Sequence, residues 1–155
     1  MLQKIIGTTD NVAVAIVRVM LGVVMFAHGA PKLFGWFGGA GPARTLASLS
    51  THGVPTALGW CVIIAECFGG LALIIGFLSR IAAAALAIDM ACAILIVHKQ
   101  FGFFMNFSGN QKGEGFEYHL LAIAMALCVL VAGAGSASVD RSLSAGAASP
   151  GRQMV

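Results

Sequence analysis

The residues able to do chemistry are few. Arg18, Glu66 and Asp89 each stand inside a run of apolar residues. In hydrocarbon an ionisable side chain there costs at least about 2.5–3.5 kcal/mol unless it is paired, hydrated or used. A second group gathers where such runs end: His28 and Lys32, His98 and Lys99, Glu117 and His119. Carboxyl and imidazole groups suit proton transfer. Beside an apolar pocket they suit a lipophilic ligand with polar ends, such as a quinone. Three histidines at one level also raise a metal site, but helical angles argue against it. His98 lies about 180° from Asp89 and His119 about 200° from Glu117, so with the acids inward these histidines point outward or sit in frayed helix ends. Glu66, His28, Lys32 and Glu117 are left to converge on one pocket, and no metal is expected.

Composition names the elements that must hold these side chains. Of 155 residues, 59% are hydrophobic and 10% charged, where a soluble domain carries about 25% charged residues. The mean hydropathy is +0.92. Too few residues can face water for a soluble enzyme or a disordered chain. The net charge of +3 forms no basic cluster, so no nucleic-acid partner is expected. A membrane span needs about 20 apolar residues, and four windows qualify: 12–34, 56–77, 80–99 and 117–134. The expected fold is an all-α integral membrane protein, a four-helix transmembrane bundle forming one domain over 1–140, with a flexible tail over 141–155. The N-terminal run is read as a retained helix, not a cleaved signal.

The connections and faces add detail. Pro42 opens a stretch in which Leu46 and Leu49 form an apolar edge, predicting a short interfacial helix in the first loop. Arg18, Gly22, Met25, Gly29 and Lys32 fall within about 40° of one line on span one, and Gly59, Glu66, Gly70 and Phe77 share a face on span two. Those two helices should meet through their glycines, with Arg18 placed to pair with Glu66 or Asp89. Cys61, Cys67, Cys92 and Cys128 form no CxxC pair and read as small core or lipid-facing residues. That disfavours a quinone-reducing, disulfide-forming enzyme. Lys4, Arg80, Arg141 and Arg152 balance Lys32, Arg44, Lys99 and Lys112 on the opposite side. Arg18 tips the count towards both termini inside.

An ordered set of motifs resembles the DoxX family of small four-helix membrane proteins. It comprises Arg18-Val-Met-Leu-Gly22, His28-Gly29 and Lys32-Leu-Phe-Gly35, then Leu46-Ala-Ser-Leu-Ser-Thr-His-Gly-Val-Pro55. Glu66-Cys-Phe-Gly-Gly70, Gly76-Phe-Leu-Ser-Arg80, Gly115-Phe-Glu-Tyr118 and the closing Gly133-Ala-Gly135 with Val139-Asp140 follow. The matching polar positions are Arg18, His28, Lys32, Glu66 and Glu117. Asp89 departs from the family pattern, and the closing turn has Ala134 where the family pattern has proline.

The resemblance implies respiratory or redox chemistry. Related DoxD-type subunits are associated with thiosulfate:quinone oxidoreduction, and some DoxX members with membrane complexes that resist oxidative stress. The expected function is a quinone-linked membrane oxidoreductase, or the membrane subunit of one, in a bacterial inner membrane. Glu66 and His28 would be catalytic, with Glu66 relaying protons and His28 bonding a quinone oxygen beside Lys32. Arg18, Lys32, Glu117 and His119 would bind the quinone, the expected cofactor, with no flavin. Expected partners are membrane lipid, a lipophilic small molecule, a protein electron donor and a second copy of the chain. The alternatives are a non-catalytic membrane partner or assembly factor, and a small lipophile-binding transporter.

Overall fold

The computed structural model describes residues 5–147. Over these the chain is helical, with no strand. Helix α1, Val12–Phe34, begins where the Asn11 side chain accepts from the amides of Ala13 and Val14 at 2.8 and 3.2 Å. These are N–H groups that no helical carbonyl reaches. The helix ends at Gly35, whose φ of 72° lets its amide return to the Pro31 carbonyl. A 3-10 turn, Trp36–Gly38, precedes α2, Gly41–Thr51, which starts on Pro42 as expected of the first-loop helix. Then follow α3, Thr56–Ile75, α4, Ser79–Phe101, α5, Glu117–Ala132, and α6, Val139–Ala147.

Helices α1, α3 and α4 contain 23, 20 and 23 residues, about 30–35 Å at 1.5 Å per residue, enough to cross a hydrocarbon core of about 30 Å. Helix α5 is apolar but has 16 residues, about 24 Å. The fourth expected span is therefore shorter than predicted, because the chain turns at Gly133.

The four longer helices close a ring in the order α1, α3, α4, α5. Leu21, Met25, Leu73 and Leu86 fill its centre, with Ala83, Ala122 and Ala126 between them. Lipid is as apolar as these side chains, so close packing, not escape from water, holds such helices together. The α1–α3 seam shows it. A Cβ at Gly22 would lie 2.7 Å from the Gly70 carbonyl oxygen, and one at Gly29 would lie 2.6 Å from the Cys67 Cα. The predicted glycine faces do meet, except that Gly59 admits Leu46 and Leu49 of α2 instead. Ile16, Ile88, Leu121 and Val131 are exposed on the outside, an apolar surface too broad for water.

Arginines lock the end of the bundle that carries both described chain ends. Arg18, 1% exposed, spends its guanidinium on backbone carbonyls. It donates to Ala134 at 2.6 Å, Ile74 at 3.0 Å, Ala137 at 3.1 Å and Ser136 at 3.4 Å, and also to Leu73. It pairs with neither Glu66 nor Asp89, which corrects the expected ion pair. A planar fork of five donors fits a cluster of carbonyls left open at the end of α3 better than a single carboxylate. Arg80 does the same for the end of α5, donating to Leu130 and Val131, and reaches Gly7 as well.

Asp140, 1% exposed, accepts from the amides of Leu78 and Ser79 at 2.8 and 2.9 Å and so caps α4. Its own amide bonds the Gly76 carbonyl at 2.9 Å. Leu78 sits at φ 47°, a conformation that costs a non-glycine residue about 1–3 kcal/mol and persists only when its surroundings hold it. Those three bonds supply that hold. Residues from Arg141 onward were expected to be a flexible tail, yet the chain is helical to Ala147. The Asp140 cap, and two parallel hydrogen bonds donated by Arg141 to the Asp10 carboxylate, anchor the helix. Residues 148–155 of that expected tail lie outside the described residues.

Candidate functional site

Helices α3 and α4, with α2 across one end, border an open cavity of about 520 Å³. From α3 come Leu58, Cys61, Val62 and Ala65, the i, i+3, i+4, i+7 stripe of one helical face. From α4 come Ile88, Asp89, Cys92 and Ile96, and from α2 Ser48, Leu49 and His52. Leu58, Ile88 and Ile96 are also exposed on the outer surface, so the walls reach the side that faces lipid.

Against these apolar walls stand a few ionisable groups. Lys32, near the end of α1, donates to Glu66 Oε1 at 2.5 Å. The pair is lopsided: the Glu66 side chain is 4% exposed and that of Lys32 is 32%. Glu66 Oε2 is buried with no hydrogen-bond partner. Asp89, 9% exposed, lines the same cavity, and its Oδ2 is likewise buried without a partner. His98 completes the polar lining, its Nδ1 2.8 Å from the Glu114 carbonyl.

Two wide turns set these positions. Ala65–Gly69 in α3 and Ile94–His98 in α4 are π-helical. Each such turn takes in an extra residue and sets the following side chains back by about 100°. This swings His98 from about 180° to about 80° from Asp89, onto the cavity face. The expectation that His98 points outward is thereby corrected.

Of the six residues expected at the site, the structure brings Lys32 and Glu66 together on the cavity. The other four lie elsewhere. Arg18 is at the opposite end. His28 is exposed on α1, its ring 5.4 Å from that of Tyr118. His119 is buried, not outward, its ring 5.3 Å from Tyr118 and 4.1 Å from His98. Glu117 points not to the pocket but to the loop before α5, accepting from the Met105 amide at 3.2 Å. The outward reading of His119 had assumed Glu117 inward. Since Glu117 ties the loop, the helix turns the other way and His119 takes the interior. Sequence reasoning missed His52, whose signal was only its place in the Thr-His-Gly stretch after the first-loop helix. Asp89 stood out as an intramembrane charge, but nothing local tied it to a pocket. Among the described residues no group of three or more His, Cys, Asp or Glu is placed to hold a metal ion.

The arrangement can take an apolar ring or chain along its walls. Lys32 keeps N–H donors beyond the one given to Glu66, while carboxyl groups accept when ionised and donate when protonated. A family model described as DoxX matches residues 13–99, more than half of the chain. No curated protein and no solved structure matches the chain.

Proposed function

This chain belongs to the DoxX family, a membrane family often associated with oxidoreductase-related roles, and on that premise we propose that it is the membrane component of a redox system and binds a lipophilic quinone in the cavity between α3 and α4. The observation that carries the reading is the join of a 520 Å³ apolar cavity to the ion pair of a buried Glu66 with a half-buried Lys32. Pockets of about 300–1,000 Å³ with a few placed polar groups hold ligands of this kind. Quinone oxygens need hydrogen-bond donors, and Lys32 has them to spare. The unpartnered oxygens of Glu66 and Asp89 leave polar capacity that the protein itself does not fill. In this reading Lys32 and His98 orient the ligand and Glu66 and Asp89 hold or pass protons. Bound quinone supplies the electron chemistry, and a protein partner supplies the electrons. With both termini inside, in a bacterial inner membrane, the site faces the outer half of the bilayer. His28, His119 and Glu117 support the site's surroundings without touching the ligand.

The test is mass spectrometry of lipids extracted from protein purified in mild detergent. Wild type should carry quinone at near-stoichiometric amounts, and so should His28→Ala. Ala65→Trp, which puts an indole across the cavity, should carry far less. Wild type without quinone overturns the reading, and Ala65→Trp with a full complement moves the ligand elsewhere.

A further inference from the structure

Asp89 is the residue of the cavity for which the fold provides least. Arg18, Arg80 and Asp140 are buried or half-buried too, yet each is spent on backbone groups. Glu66 has Lys32. Asp89 lines the cavity, is 9% exposed, and its side-chain Oδ2 is buried without a hydrogen-bond partner among the described residues. Glu66 Oε2 on the facing wall is unpartnered as well. Buried polar atoms are bonded in the great majority of cases, and a group left over at the wall of a cavity calls for a partner from the ligand.

Paired with the Lys32 ammonium through Oε1, a Glu66 carboxylate offers Oε2 only as an acceptor. A quinone carbonyl can only accept too, and placed there it leaves both oxygens unsatisfied. A hydroxyl donates and accepts together. Its one proton satisfies Glu66 Oε2 while its oxygen accepts from a protonated Asp89, and an ionised Asp89 takes the proton of a hydroxyl of its own. A carbonyl satisfies Asp89 only in the protonated form. We infer that Asp89, with the free oxygen of Glu66, makes this cavity selective for the reduced, dihydroxy form of its lipophilic ligand over the oxidised form. The inference rests on the quinone reading above and concerns binding alone.

The experiment compares three ligands that share one ring and tail on the full-length protein in lipid nanodiscs under argon, by calorimetry. They are a decyl-substituted benzoquinone, its quinol, which has the same ring and tail, and the bulkier dimethyl ether of that quinol, which keeps the oxygens and has no donor. The quinol should bind at least about tenfold tighter than either of the others, the penalty expected for buried acceptors left unpaired. In Asp89→Asn the amide donates to a carbonyl, so the preference over the quinone should shrink to about threefold or less. Quinone or ether binding as tightly as quinol to wild type overturns the selectivity and leaves the site standing. If none of the three binds, both readings fall. The quinol–quinone comparison needs no variant, so it decides the matter even if Asp89→Asn does not fold.

Discussion

Lys32 and Glu66 share one short bond, but water reaches only one of them. Removing the partner of a buried charge costs about 3–5 kcal/mol, far more than loosening one that can turn to solvent. Lys32→Ala strands the Glu66 carboxylate in the interior and should destabilise by about 3 kcal/mol or more. Glu66→Gln keeps the shape and leaves a lysine that can reach out, so about 1 kcal/mol is expected. Reversible unfolding in mixed micelles measures both, and a larger loss for Glu66→Gln would refute the argument. The residue types at this scale were legible in the sequence, because charges inside apolar runs stand out. Their partners were not. Where Arg18 finds five carbonyls depends on where α3 ends and how the chain after α5 folds back, and no spacing along α1 contains that.

At the scale of elements, the α1–α3 seam depends on two helices approaching through glycine. Gly29→Ala would drive a methyl group into the backbone of Cys67. Overpacking of this kind costs typically about 1–3 kcal/mol, and here backbone cannot swing aside. Gly69→Ala provides the contrast. Its added Cβ would rest 3.7 Å from Leu86 Cγ, an ordinary contact, and replacing a helical glycine should be neutral or gain about 0.5–1 kcal/mol. Equal losses at the two sites in the same unfolding assay would show that the seam does not set stability. The 100° arithmetic foresaw the seam because α1 is regular from Asn11 to Gly35. It failed on α4, because the π turn at Ile94–His98 breaks the 100° step, and a regular-helix count does not include it.

For the molecule as a whole, the two described ends of the chain are tied together. Asp10 accepts from the Ser136 hydroxyl at 2.7 Å and from Arg141 at 2.6 Å, joining α6 to the start of α1. The Ser136 bond first, and the bond and charge of Arg141 after it, hold the Asp10 carboxyl below its ordinary value. A carboxyl lowered on folding contributes fully above its unfolded value, near pH 4, and that contribution is lost as pH falls through the folded value. Amide exchange in α6, corrected for the intrinsic rate, should therefore quicken at pH 3 relative to pH 6. Asp10→Asn should show the quickened exchange at both. Protection that does not change with pH would exclude the tie. By itself the sequence determined that this chain is a helical membrane protein, where its helices run and which residues are too costly to be idle. Those follow from hydrophobic length and from the price of charge in lipid, which are local quantities. The tertiary structure alone decided that Lys32 and not Arg18 meets Glu66, that His119 turns inward, and that Asp89 faces a cavity without a partner. Each of these is a contact between distant helices, set by their ends, their wide turns and the closeness that glycine permits.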